Sequence, residues 1–578
     1  MEDVEALRLR VKELEDALKE ASTPFSIRSL STGEGVKKGV SVRTTIVLFG
    51  ADGNLATKKT YPTLFALWRR GFLPRTTLIV GYAREPMSAE VFRRMVFRAI
   101  YNSGHAQTER NSFLERCHYV SGQFDCVEHF GERLRPKLEA LEAFRDETEL
   151  AADSAAASEP PTPNSAKAST VYPSRSIASS MNDLDAHHTH AERLRVYYLA
   201  VPPFLYGKIC ACLNASGARA KDVVGRFVLE KPFGRDLKSC RALCHDLGTL
   251  VREDEAFRID HYLGKELVMN VLVLRFANVC FEAIWSRSHV ARVEVCCLES
   301  IGTAGRGGYF DSYGIIRDVM QNHLAQIMAL VAMEQPLSFG AEDIRREKVK
   351  VLRGVRALDA ERDLVVGQYD GYVDDDSVSN KKSKTETFAA ARLYIDNPRW
   401  AGVPFVLTAA KAVSQKKVEV RIIFHKVAGA VAECSRCDAN ELVVRVQPDE
   451  CIYWRVQNRV PGLHSKLRIE PRRMNLLYTP AESRGMPEAY ERLLLEVLRG
   501  DATNFVSVDE LDAAWRIFTP ALNHLSTRLD RPERYAYGSD GPCTRRLFRP
   551  QYPDEDDDDD DDLYNPPSPH SLHILSRR

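Results

Sequence analysis

Two short segments concentrate more ionisable groups than a structural stretch ordinarily needs. Arg258-Ile-Asp-His-Tyr-Leu-Gly-Lys-Glu266 holds an Asp, a His, a Tyr and a Lys just before an amphipathic run. If the segment is helical, His261 and Lys265 stand at i and i+4 on one face, where both could donate to a phosphate. The alternative is a capped helix with both side chains exposed. The second segment, Ile315-Ile-Arg-Asp-Val-Met-Gln-Asn-His323, sets Asp318 and His323 inside an otherwise apolar helix that should face the core. Buried polar groups need partners, so this pair should line a site or a network. Titratable groups gathered in two such segments point to acid–base catalysis.

A third segment handles phosphate differently. The apolar run Thr45-Ile-Val-Leu-Phe49 leads into Gly50-Ala-Asp-Gly-Asn-Leu-Ala56, a strand, a glycine turn and the start of a helix. Gly50 and Gly53 let the backbone approach a pyrophosphate, and the amide groups of Asp52, Asn54 and Leu55 at the helix start favour its charge. The next apolar run ends in Gly81-Tyr-Ala-Arg84, with no acid placed to accept a ribose 2′-hydroxyl. Arg84 instead suits a 2′-phosphate, which indicates NADP as the cofactor.

The elements that must hold these groups fall into two kinds. Between residues 44 and 257, buried runs at 45–49, 77–80, 196–199 and 226–229 alternate with amphipathic stretches, which predicts a parallel, doubly wound α/β sheet of Rossmann-like form. Beyond residue 290 the runs at 291–295, 388–394, 418–424 and 442–446 mix alternation with charge, the pattern of a large antiparallel sheet. Helices at 318–334 and 488–498 are expected to cover one face of it, giving an α+β domain over 258–550. Residues 1–43 read as a helical arm and linker, 149–192 as a disordered Ala/Ser/Pro-rich insertion, and 551–578 as a solvated acidic tail.

Composition narrows the class further. Hydrophobic residues make up 44% and charged residues 28% of 578, the balance of a folded globular protein of two large domains. No apolar run is long enough for a membrane span, and the first twenty residues are too charged for a secretory signal, so a cytoplasmic location is expected. The body is mildly basic once the acidic tail is set aside, but its charge is too diffuse for nucleic acid. Thirteen scattered cysteines suit reduced thiols, and Cys434-Ser-Arg-Cys437 lacks the second ligand pair a zinc site requires, so no metal is expected.

Together the segments resemble one family. The runs at 50–56, 81–84 and 258–266, with Leu229-Glu-Lys-Pro-Phe-Gly234, Gly305-Arg-Gly-Gly-Tyr-Phe310, 317–323, Val403-Pro-Phe405, Arg445-Val-Gln-Pro448 and Ala514-Trp-Arg-Ile-Phe-Thr-Pro520, closely resemble glucose 6-phosphate dehydrogenases over about residues 44–540. The resemblance implies oxidation of glucose 6-phosphate at C1 by NADP, in a homodimer or homotetramer built on the large sheet. It implies His323 as general base and Asp260 as the group that orients it. His261, Tyr262 and Lys265 would hold the sugar phosphate, with Lys411 and Lys416 closing the site. Glu299 and Asp318 would accept from sugar hydroxyls, Lys231 would touch substrate and cofactor beside a cis Pro232, and Tyr206 would be a further cofactor contact. Two departures stand out. Asp52 and Asn54 replace the family's Ser and Asp in the glycine turn. Thr408 and Asp540 occupy positions where many eukaryotic members use arginines for a second, structural NADP, although Lys417, Arg421 and Arg445 remain, so that second site is expected to be absent or weak.

Overall fold

The computed structural model describes residues 42–101, 106–157, 193–303, 305–427, 437–464, 466–528 and 530–548. Residues 1–41 of the expected N-terminal arm, Cys434 of the CxxC and the acidic tail 551–578 lie outside the described residues.

Six parallel strands form the first sheet: β1 (Arg43–Phe49), β2 (Leu78–Ala83), β3 (Cys117–Ser121), β4 (Arg193–Leu199), β5 (Val224–Leu229) and β6 (Ala256–Arg258). Their order, β3-β2-β1-β4-β5-β6, is that of a doubly wound dinucleotide-binding sheet. Every residue of β2 and all but the first of β1 and β4 are buried, as a sheet covered on both faces requires. Two strands escaped the sequence reading. β3 is a half-buried edge strand with His and Ser among its residues, and β6 has only three residues, so neither presents an apolar run. The helix Arg135–Ala157 extends into the stretch expected to be disordered. Its last residues, Leu150-Ala-Ala-Asp-Ser-Ala-Ala-Ala157, are mostly alanine, the best helix former, which corrects that boundary. Residues 158–192 lie outside the described residues.

The second sheet has nine strands in the order β14-β13-β12-β11-β7-β10-β9-β8-β15. These are β7 (Val290–Leu298), β8 (Leu364–Tyr369), β9 (Phe388–Leu393), β10 (Phe405–Ala410), β11 (Lys417–Phe424), β12 (Glu441–Gln447), β13 (Cys451–Arg459), β14 (Ile469–Leu477) and β15 (Glu533–Tyr535). It is mostly antiparallel, with parallel pairs β7–β10 and β8–β15.

One expected helix lies elsewhere. Ala489–Arg499 packs on the helix Tyr61–Arg69 of the first domain, and its Leu493, Leu494 and Val497 join Ile46, Leu48, Phe65 and Phe257 in one core. Leu494 and Val497 follow Leu493 at helical spacing, so the stripe was legible; which sheet it would seek was not. The expected helix 318–334 does cover the second sheet, packing against β7 and β10, but it begins as a π-helical segment, Ile316–Leu324, before the α-helix Ala325–Ala332. The difference bears on chemistry. In an α-helix Asp318 and His323 would point about 140° apart, whereas hydrogen bonds between residues five apart bring them to one side.

Candidate active site

His323 and Asp260 meet where the two sheets adjoin. Asp260 follows β6 directly, and its Oδ1 lies 2.5 Å from His323 Nδ1, with both residues 3% exposed. Burial pushes the Asp260 carboxyl upward, but the charge and hydrogen bond of His323 outweigh it and hold the group at about 2. An ionised carboxylate only accepts, so Nδ1 carries the proton and Nε2 keeps its lone pair. Burial also draws His323 below its ordinary value against the opposing pull of Asp260, which keeps the imidazole neutral and basic near neutral pH.

The segment after Asp260 is not helical, which corrects the i, i+4 expectation for His261 and Lys265. Asp260 Oδ1 also accepts from the Tyr262 amide at 3.0 Å, and the Leu263 and Lys265 amides bond back to Asp260 and Tyr262 carbonyls. These local bonds compete with helix and hold a chain of turns until the helix Glu266–Phe276 begins. The turns nonetheless gather the side chains. The Tyr262 ring stacks on His323 at 4.2 Å, and the His261 ring meets His323 edge-on at 4.6 Å. His261 and Lys265 line a cleft of about 590 Å³ together with Lys59, Glu488 and Tyr490. Burial lowers the pKa of both His261 and Lys265.

Four further groups border the base. Lys231 Nζ donates to the Asp318 carbonyl at 2.6 Å and approaches its carboxylate at 3.3 Å. Burial raises Asp318, but Lys231, Lys411 and His323 outweigh it and keep the carboxylate ionised. The parallel register of β7 and β10, with Leu298 opposite Ala410, delivers Glu299 and Lys411 side by side as an ion pair. Lys416 stands exposed on the connection to β11, and among the described residues no hydrogen bond or ion pair ties it to this cluster. Asp260, His261 and His323 lie within 4.8 Å of one another, a spacing that could gather a metal ion, but a ligated imidazole would lose the lone pair a base requires.

The nucleotide turn sits at the carboxyl ends of β1, β2 and β4. Gly50 has φ +77°, and a Cβ there would lie 2.4 Å from the Ala200 carbonyl oxygen, so the position demands glycine. Gly53 closes the turn through its amide to Gly50 O at 3.0 Å. Asp52 and Asn54 are exposed on it, Leu55 is half-buried, and Arg84 stands exposed just beyond β2, whose pairing with β1 sets it beside the turn. The tight glycine turn suits the close approach of a pyrophosphate, and the exposed Arg84 guanidinium suits a 2′-phosphate.

Tyr206 does not offer its hydroxyl to a ligand. It is fully buried, donates to the Glu230 carbonyl at 2.7 Å, and so braces from beneath the turn carrying Lys231, whose bond to Pro232 is cis. Sequence reasoning missed the partners of that turn. Glu230, raised by burial to about 7, accepts from Tyr198 at 2.6 Å, and nearby the ring of Tyr490 lies parallel to His261 at 6.0 Å. Gln447 accepts from Lys265 at 2.7 Å. Gln447 lay in a recognised motif with no role attached; Tyr490 carried no local signal.

Comparison with known proteins decides the family. Residues 47–156 and 164–270 match the family model for the glucose-6-phosphate dehydrogenase NAD binding domain, and residues 272–551 match that of its C-terminal domain. The chain belongs to the glucose-6-phosphate dehydrogenase family. It is 42% identical over 563 residues to a chloroplastic glucose-6-phosphate 1-dehydrogenase of Nicotiana tabacum, covering 94% of this chain and 86% of that protein. It is 40% identical over 507 residues to the glucose-6-phosphate 1-dehydrogenase of Dictyostelium discoideum, covering 86% of this chain and 92% of that one. A solved glucose-6-phosphate dehydrogenase in complex with its substrate superposes with a TM-score of 0.74 at 38% identity, over 88% of this chain and 97% of that chain.

Proposed function

We propose that His323, held by Asp260, is the general base of an NADP-dependent glucose 6-phosphate 1-dehydrogenase, forming 6-phosphoglucono-1,5-lactone in the first step of the oxidative pentose phosphate pathway. The buried 2.5 Å bond between them carries the reading, because it fixes the tautomer and leaves Nε2 free to take the C1 hydroxyl proton. NADP, when bound, supplies the hydride acceptor. Gly50, Gly53 and the amides of Asp52, Asn54 and Leu55 would hold its pyrophosphate, and Arg84 its 2′-phosphate. His261, Tyr262 and Lys265 would hold the substrate phosphate, with Lys59, Tyr490 and Gln447 around them. Glu299, Asp318, Lys231 and Lys411 would fix the sugar hydroxyls, so that the ring presents C1 to the base, and Lys416 would swing in to close the site. The direct test follows NADP reduction in purified protein supplied with glucose 6-phosphate, beside His323→Asn. Reduction by the wild type and a loss of more than about a thousandfold in the variant support the reading; an active variant sinks it.

A homodimer or homotetramer is proposed on the strength of the open edge of the second sheet, where β14 exposes Met474, Leu476 and Leu477. Light scattering on the purified protein reads the state, and a monomer refutes it. No helix among the described residues is long and apolar enough to cross a membrane. The proposed compartment is the cytoplasm, supported by the free cysteines among the described residues; a chloroplast, as the names of the plant relatives give for those proteins, would suit them equally, and fractionation decides.

A further inference from the structure

Behind the proposed base lies a second, smaller cavity. It measures about 20 Å³, the room for a single water molecule, and is lined by Asp260, Gln321 and Gln326, by Lys231 and Asn322, and by apolar neighbours that include Phe233, Val506 and Leu511. Lys231 donates to the Asp318 carbonyl, and the Asn322 amide donates to the Arg317 carbonyl and accepts from the His323 backbone, so these two are already partnered. Asp260, Gln321 and Gln326 are each at least nine-tenths buried. Each also carries one buried atom without a hydrogen-bond partner: Asp260 Oδ2, Gln321 Nε2 and Gln326 Oε1. Such orphans are rare, because each forfeits its hydration with nothing in return. Three of them around one cavity of this size call for a common explanation.

Their chemistry supplies it. Asp260 Oδ2 and Gln326 Oε1 only accept, and Gln321 Nε2 only donates. One water offers two donors to the two acceptors and one lone pair to the donor, satisfying all three at once. No other small ligand of this volume matches: a cation would face the Lys231 ammonium and the Gln321 amide, and an anion, though near Lys231, would leave both acceptors, the ionised carboxylate included, without a donor.

We propose that a buried water bound by Gln321 and Gln326 holds the outer oxygen of Asp260, making these two glutamines positioning residues for the base. Asp260 is then gripped at both oxygens, by His323 and the Tyr262 amide on Oδ1 and by the water on Oδ2. The wide turns of the 316–324 segment set this up, since Gln321 and Gln326 are five residues apart across its junction with the following α-helix. The inference rests on the assignment of Asp260 and His323 as the catalytic pair.

Two measurements test it separately. A crystal structure of the full-length wild type should show an ordered water bonded to all three atoms; an empty cavity, or side chains repacked to close it, overturns the proposal whatever the enzyme does. Kinetics of Gln321→Leu, Gln326→Leu and the double variant should show kcat lowered about tenfold, the scale of one lost hydrogen bond to an ionised group, with both KM values within about twofold. The double variant should fall no further than the worse single, because all three changes release the same water. Additive losses, KM rising in step with kcat loss, or kcat within twofold of wild type would each overturn the positioning role. A wild type that never reduces NADP with glucose 6-phosphate sinks the functional reading instead, and the crystallographic arm then decides the water by itself.

Discussion

Replacing Asp260 by Asn isolates the electrostatic part of the proposed base from its shape. In the wild type burial pushes the carboxyl upward from its ordinary 3.8, but the charge and hydrogen bond of His323, joined by His261 and Lys231, outweigh it and hold the group at about 2. A charge-assisted hydrogen bond of this kind is worth roughly 2–3 kcal/mol to the imidazolium formed when the C1 proton is taken, or on the order of fifty- to a hundredfold in rate. A second loss adds to it. The Asn amide can donate to Nδ1, which would place the imidazole proton on Nε2 and remove the lone pair; the wrong tautomer costs up to about 10⁴ in a comparable dyad. We therefore expect kcat to fall between about 10² and 10⁴, with both KM values within about threefold. The pH profile supplies the sign. His323 must be neutral to act, so activity is lost as pH falls through its pKa. Burial already lowers that pKa and Asp260 opposes the lowering, so removing the carboxylate drops it further. The residual activity of the variant should thus persist to lower pH than the wild type. The assay is initial-rate NADP reduction between about pH 5 and 9, where an imidazole titrates. A kcat within about fivefold of wild type, or an acidic limb shifted upward in pH, would falsify the account.

Other outcomes follow from the same structure. Gly50→Ala forces a Cβ against the Ala200 carbonyl at positive φ; it should cost about 1–3 kcal/mol in thermal unfolding and raise KM for NADP far more than that for the sugar phosphate. Asp52→Ser removes an exposed carboxylate from the cradle, so KM for NADP should fall by several-fold at low salt and by less at high salt; an unchanged KM would show that Asp52 faces away from the cofactor. Native mass spectrometry should find no more than one NADP per chain, since Arg421 is paired with Glu294 and Glu441, Arg445 with Glu419, and Asp540 with Ser414; a second bound NADP refutes that expectation.

What the sequence disclosed and what it withheld divide on physical grounds. β1 with its glycine turn was readable because a fully buried strand and a left-handed glycine leave strong local marks. Asp260 was readable from the concentration of ionisable groups in its segment, and His323 as a polar residue inside an apolar helix. Their 2.5 Å contact was not, since it depends on the junction of two sheets whose strands lie far apart in the chain. The local geometry around them also escaped. Side chain to backbone bonds at Asp260 defeat the helix that the spacing of His261 and Lys265 suggested, and the π-helical turns at 316–324 have no composition of their own. The role of Tyr490, and the partners of Glu230 within its motif, escaped for the same reason as the contact of the dyad, the groups they meet being distant in sequence.

The position of the helix Ala489–Arg499 has a consequence for how this chain is made. Leu493, Leu494, Val497 and Phe505 complete the apolar layer over Ile46, Leu48 and Phe257, and Lys59 and Arg70 pair with Glu488 and Glu491 of the same region. A ribosome delivers residues 44–257 long before it delivers these. The nascent first domain must therefore wait with part of its interior open to water, exposed to chaperones and to other copies, until the far end of the chain emerges and seals it. A fragment cut after β6 would remain in that waiting condition: foldable in outline, short of its last layer, and prone to aggregate.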